Sequence, residues 1–190
     1  MIAFYQYIKD GGEPLSTVEK EEYQNMKDNQ NKYPDYLLGN IKYMASFGGK
    51  PWGGYVGIDK RNGHKKYDGA LVNFKKQIPI LKQTIFSSVD YRELTFEKDS
   101  IIVCDPPYKG TTGYRGINFD SETFYEWFRK MSKEHYCVLC EYSAPEDFTL
   151  FKAISVAKTL SATDNVTKVN DGLFYCDGLF KDWYESIYKE

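Results

Sequence analysis

At 190 residues and 22.1 kDa the chain is long enough to bury a core without staples and cramped for two full domains, so it reads as a single domain over residues 1–190. A formal net charge of -2 and a pI near 5.8 exclude a global basic field, so any nucleic-acid partner must be met by a local patch. No window approaches the roughly 20 apolar residues of a membrane span, and the first ten residues lack the pattern of a signal peptide, so the expectation is a cytoplasmic protein without a membrane partner.

Ile2 to Ile8 has the apolar content of a short buried helix, ended by Gly11-Gly12. Ser16-x-x-Glu19 reads as a capping box that opens a polar surface helix running to about Asn29. Pro34 suits the first turn of a helix over 35–46, with Tyr36, Leu37, Ile41, Met44 and Ala45 at helical spacing. Composition then shifts: residues 47–57 place five glycines around Phe47, Trp52 and Tyr55, and Lys60-Arg61-Asn62-Gly63-His64-Lys65-Lys66 follows. Rings that can stack on bases, a backbone that can approach closely and cations that can meet phosphate make this a candidate DNA surface; the alternative is a solvated glycine-rich loop. His64, inside the basic run, reads as solvent-exposed rather than catalytic.

Leu71, Phe74, Ile78 and Leu81 form a helical stripe, with Pro79 a kink or break. Ile85 to Val89 reads as a short strand ending at Asp90-Tyr91. Ser100 to Cys104 is apolar without alternation, which fits a strand buried on both faces of a parallel sheet, and it stops at Asp105-Pro106-Pro107-Tyr108. A carboxylate at a strand's carboxyl end, followed by two rigid residues and a ring, is a site candidate; the competing reading is a plain turn. Asp120 or Ser121 caps an amphipathic helix through Met131, and 135–140 is a further strand ending at Glu141-Tyr142. This rhythm argues for an α/β domain with a mainly parallel sheet. Strands at 150–160 and 172–176, a polar turn or loop at 161–170, and an aromatic-rich helix at 179–188 complete the chain. Cys104, Cys137, Cys140 and Cys176 suit reduced core thiols, and a lone C-x-x-C at Cys137 and Cys140 carries little weight as a metal or redox site.

With Asp105-Pro106-Pro107-Tyr108 behind an apolar strand, the chain resembles adenine-specific DNA methyltransferases of phage and bacteria. The likeness extends in order and spacing to Ser46-Phe47-Gly48-Gly49-Lys50 with Gly53-Gly54-Tyr55, to Val89-Asp90-Tyr91-Arg92-Glu93-Leu94, to Lys109-Gly110-Thr111-Thr112-Gly113-Tyr114, and to Cys140-Glu141-Tyr142-Ser143-Ala144-Pro145. It covers roughly residues 1–150; the tail at 176–190 is unmatched. The resemblance implies a Rossmann-like S-adenosylmethionine-dependent fold with a helical and loop insertion at 35–68 for DNA target recognition, and transfer of a methyl group to the exocyclic amino group of a flipped adenine in double-stranded DNA, as in restriction-modification. It implies Asp105, Pro106, Pro107 and Tyr108 as the catalytic set, Asp90, Tyr91 and Asp105 as cofactor contacts, and Lys50, Trp52, Tyr55, Lys60, Arg61, Tyr114 and Arg115 as DNA contacts, with no metal.

The chain departs from the pattern upstream, where members carry a strand, a glycine-rich turn for the methionine part of the cofactor, and a second strand ending in an acid. Phe47-Gly48-Gly49 imitates that turn but follows no apolar strand and sits in the recognition position. The expected fold is therefore an incomplete version of the family's, and two further readings stay open: a split enzyme whose second chain supplies the glycine turn, and a DNA-binding remnant without activity. Methylation of RNA or of a protein glutamine is a third, disfavoured by Asp rather than Asn at position 105.

Overall fold

The computed structural model describes residues 1–109, 119–157 and 168–188, and the chain divides into two compact units, Met1–Val89 and Asp90–Glu190.

The first unit is helical. It holds α1 (Ile2–Lys9), α2 (Lys20–Asp28), α3 (Asp35–Met44) and α4 (Lys66–Leu81). α1 buries Phe4 and Ile8 against Phe74 of α4, with the Phe4 and Phe74 rings stacked at 5.0 Å. α2, α3 and α4 enclose Val18, Tyr23, Ile41, Tyr67 and Leu71. Inside this apolar shell Asn40 is satisfied: its carbonyl oxygen accepts from Leu15 N–H at 2.8 Å and its amide lies 3.2 Å from the Tyr67 hydroxyl. Burial pushes the Tyr67 phenol up to about 12.

Three expectations change in this unit. Ser16 caps no helix: it lies in a bend ahead of the buried Val18, and the helix starts only at Lys20 with Glu19 at its N-cap. Glu19, instead of reaching back in a capping box, pairs with Lys65. Pro79 does not break α4: it sits close enough to the end that only one internal hydrogen bond is forgone before the helix stops at Leu81. Residues 85–89 form no strand, and Ile85 is 88% exposed, since no neighbouring strand offers a ladder to this apolar run.

The second unit carries β1 (Ile101–Cys104), α5 (Ser121–Ser132), β2 (Tyr136–Glu141), β3 (Thr149–Ala157), β4 (Lys168–Tyr175) and α6 (Leu179–Tyr188). The sheet order is β1-β2-β4-β3. β1 and β2 are parallel, pairing Ile101 with Tyr136 through Cys104 with Leu139, as a strand-helix-strand unit requires. α5 opens where expected: Asp120 accepts from the Glu122 and Thr123 amides at 3.1 and 3.2 Å. Its Phe124 and Phe128 bury against Ile102, Leu139, Phe148 and Phe174.

The sheet is mixed rather than mainly parallel. β4 runs antiparallel to both β2 and β3, so half of the predicted parallel rhythm is absent. Residues 142–148 between β2 and β3 are too few for another helical crossover of about a dozen residues; β3 therefore runs in the same direction as β2 without a covering helix, and β4 returns between them, antiparallel to both. β1, expected to be buried on both faces, is an edge strand of this sheet with Ile101 77% and Val103 64% exposed. The strand buried on both faces is β2, where Cys137, Val138 and Leu139 are all enclosed. The fold is α/β with a four-stranded mixed sheet.

Candidate active site

Asp105, Pro106, Pro107 and Tyr108 leave β1 at the carboxyl end of the parallel pair. Asp105 is exposed, while the two prolines and Tyr108 are half-buried. Since proline has no N–H, Pro106 and Pro107 cannot extend the ladder with β2, and the chain turns away from the sheet after Cys104. Beside β1 lies a groove of about 500 Å3, walled by Tyr91, Phe119, Phe124, Trp127 and the β1 residues, with Asp105, Pro106 and Pro107 at one end. It is within the usual size range of small-molecule sites, roughly 300–1,000 Å3. Tyr91 is fixed there by edge-on ring contacts with Phe124 at 5.5 Å and Trp127 at 5.0 Å.

The structure brings Tyr91 and Asp105 to one groove, and no strand precedes Tyr91. Asp90 does not line it. Its carboxylate instead caps the short 3-10 turn Tyr91–Glu93 and grips Arg92 through Nε at 2.9 Å and Nη2 at 2.7 Å. Those bonds hold the Asp90 carboxyl down at about 2. Burial pushes the Cys104 thiol at the groove wall up to about 12, which disfavours its thiolate.

Behind the turn lies a second layer of acids and rings that sequence reading did not assign. Glu141 at the end of β2 is 1% exposed, and both of its oxygens accept backbone donors: Oε2 from Lys109 N–H at 3.1 Å and Oε1 from Tyr142 N–H at 2.8 Å. Burial raises its carboxyl above the ordinary range, against the pull of those two amides. Asp171 of β4 accepts from the Tyr108 hydroxyl, and burial, followed by this bond, drives the Tyr108 phenol well upward. The Tyr108 and Tyr142 rings meet edge-on at 4.5 Å. Glu141 carried a visible signal, an acid closing an apolar strand; Asp171, inside a polar run, carried none.

The residues implied as DNA contacts fall into three groups. Trp52 and Tyr55 are built into the first unit: the Trp52 indole donates to Gln30 at 3.2 Å, the Tyr55 hydroxyl donates to the Val18 carbonyl at 2.7 Å, and both rings lie against Tyr23. Neither ring is free to offer both of its faces to a base, a constraint the glycine-rich composition concealed. Lys50, Lys60 and Arg61 are exposed, with Arg61 held by Asp59 at 2.8 Å, and His64 is exposed as expected. Phe47, 54% exposed with the Lys66 ammonium 5.9 Å from its centroid, is a ring-and-cation pair absent from the implied set. Tyr114 and Arg115 lie outside the described residues.

All four cysteines are free thiols, and the described residues contain no cluster of three metal-ligating side chains. No helix among them is long and apolar enough to cross a membrane. Compared with protein-family models, curated proteins and solved structures, the chain matches none.

Proposed function

We propose that the chain is an adenine-specific DNA methyltransferase, or the part of one that carries the base pocket, with a Rossmann-like ancestry for its sheet. The observation that carries this reading is the turn Asp105-Pro106-Pro107-Tyr108 at the carboxyl end of a parallel strand pair, opening on an aromatic groove. Adenine's amino nitrogen is a weak nucleophile because its lone pair is delocalised into the ring. The Asp105 carboxylate and the Pro106 carbonyl accept its two hydrogens and draw the lone pair toward the reacting direction. Tyr108 stacks on the flipped base and offsets part of the few kcal/mol that extrusion costs.

S-adenosylmethionine, when bound, supplies an electrophilic methyl group for direct transfer. The groove suits its adenine end, with Tyr91, Phe119 and Trp127 as apolar walls. Among the described residues the groove lining contains no cation and no glycine turn for the methionine end. The exposed Lys50, Lys60 and Phe47–Lys66 pair support double-stranded DNA as the partner through a local patch.

The open side of β1 supports a second reading, in which a partner chain adds the missing strand and glycine turn. Among the described residues β1 pairs only with β2, and Ile101 and Val103 are exposed. Calorimetric titration of S-adenosylmethionine, alone and with duplex DNA, followed by transfer of a labelled methyl group to adenine-containing DNA, tests both. Labelled DNA with wild-type protein and none with Asp105→Ala supports the stand-alone enzyme. Heat and label that appear only after a second protein is added support the split enzyme. Silence under every condition, or label confined to RNA or protein, removes the proposal.

A further inference from the structure

We infer that Glu141 is a positioning residue: one carboxylate oxygen, held in place while the other is bonded by the Tyr142 amide, ties down the Lys109 end of the Asp105–Lys109 turn, with Asp171 steering the Tyr108 ring. The inference rests on the methyltransferase reading for its functional consequence but not for its structural part.

The need for such a residue follows from the turn's own chemistry. Between Asp105 and Lys109, Pro106 and Pro107 have no N–H, so after Asp105 the first backbone donors available to tie the segment down are those of Tyr108 and Lys109. The β1–β2 ladder ends at Cys104 paired with Leu139. Glu141 stands two residues beyond that last pair, level with the first residue that cannot donate. Its side chain takes over where the ladder fails, capturing Lys109 N–H with one oxygen and its neighbour's N–H with the other. Both bonds are to an acceptor-only group, which a carboxylate is and a carboxamide is not. In register with Glu141 on β4 is Gly172, and next to it Asp171 takes the Tyr108 hydroxyl. Two acids from adjacent strands therefore fix the last two residues of the turn, one by backbone and one by ring, while Asp105 stays exposed for substrate.

A buried carboxylate is costly unless fully bonded, so an isosteric carboxamide is a severe probe. Glu141→Gln keeps the shape but turns one acceptor into a donor facing an N–H. Amide hydrogen exchange, read on the full chain, should accelerate about tenfold at Lys109 or Tyr142 in this variant, the equivalent of one lost hydrogen bond, and at Lys109 in Glu141→Ala. Helix α5 amides should be unchanged, which shows that the variant is folded. In the methyl-transfer assay kcat should fall about 10- to 100-fold, with KM for S-adenosylmethionine within about twofold of wild type. Asp171→Asn, which retains an acceptor for the Tyr108 hydroxyl, should keep most of the activity that Asp171→Ala loses.

Unchanged protection of both Lys109 and Tyr142 in Glu141→Gln, or of Lys109 in Glu141→Ala, overturns the inference whatever the activity. So does a KM increase with kcat intact, since that assigns Glu141 to binding. A wild-type chain without methyl transfer removes the functional reading alone, and the exchange experiment still decides whether Glu141 holds the turn.

Discussion

Gly172→Ala tests how tightly the sheet is packed behind the proposed site. A Cβ built at Gly172 lies 2.4 Å from Cε2 and 2.8 Å from Cζ of Phe174, and 3.0 Å from Cδ1 of Leu150. Leu150 is half-exposed and can swing its methyl away at little cost, whereas Phe174 is 8% exposed and locked among the α5 rings. The ring cannot yield without disturbing its neighbours, so the substitution should cost about 1–3 kcal/mol, the usual range for overpacking. Phe174→Leu alone removes the clashing ring atoms and leaves a cavity, costing about 1–2 kcal/mol by analogy with other large-to-small core changes. If the clash is the cause, the double variant should be more stable than the sum of the two losses by at least about 1 kcal/mol. Urea unfolding of the four proteins, followed by tryptophan fluorescence, measures each term through the midpoint and a common slope. Additivity within about 0.5 kcal/mol, or a neutral Gly172→Ala, would refute the packing argument.

Three further outcomes follow from the same geometry. Phe128→Ala, at a position with no exposed surface and a ring contact to Phe148 at 5.4 Å, should cost about 3–5 kcal/mol in urea unfolding. Val103→Lys should change stability by less than about 0.5 kcal/mol, because β1 is an edge and Val103 faces outward; a loss of several kcal/mol would mean that this face is covered in solution. Glu141 faces Asp105 and Asp171, with Lys109 and Tyr125 also near, and burial raises its carboxyl above its unfolded value of 4.5. A raised acid contributes most stability below its unfolded value and loses it as pH climbs through the folded one. The stability of wild type relative to Glu141→Gln should therefore increase as pH falls from 7 toward 4.5, and a midpoint difference that stays flat or shrinks over that range would contradict it.

The elements most legible in the sequence were those with strong periodicity or an unambiguous cap. Asp120 ahead of Phe124, Trp127, Phe128 and Met131 predicted α5, and Leu179 to Tyr188 formed the closing helix with the expected bounds. Misreadings arose where a local pattern depends on a distant partner. Ile101 to Cys104 and Val138 to Leu139 are equally apolar, yet one strand is at the edge and the other in the middle, a difference set by strand order alone. Ile85 to Val89 has the composition of a strand but no ladder to join. Ser16 and Glu19 have the spacing of a capping box, but burial of Val18 and the attraction of Lys65 outweigh it.

The site shows the same division more sharply. Asp90, Asp105 and Glu141 each follow or close an apolar run, and the sequence treats all three alike. In the structure Asp90 is neutralised by Arg92, Asp105 stands exposed at the groove, and Glu141 is buried against two amides. What separates them is the supply of donors nearby. Arg92 two residues on captures Asp90; the donorless prolines leave Asp105 without backbone partners of its own turn; and the N–H of Lys109 beyond that gap, together with that of Tyr142 at the end of β2, draws in Glu141. The two prolines thus have a double effect, turning the chain away from the sheet with Asp105 exposed while creating the deficit that a buried acid on the neighbouring strand makes good. A turn of this kind needs its supporting acid as much as its exposed one, and for that reason Glu141, rather than the more conspicuous Asp90, is the second carboxylate on which the proposed chemistry depends.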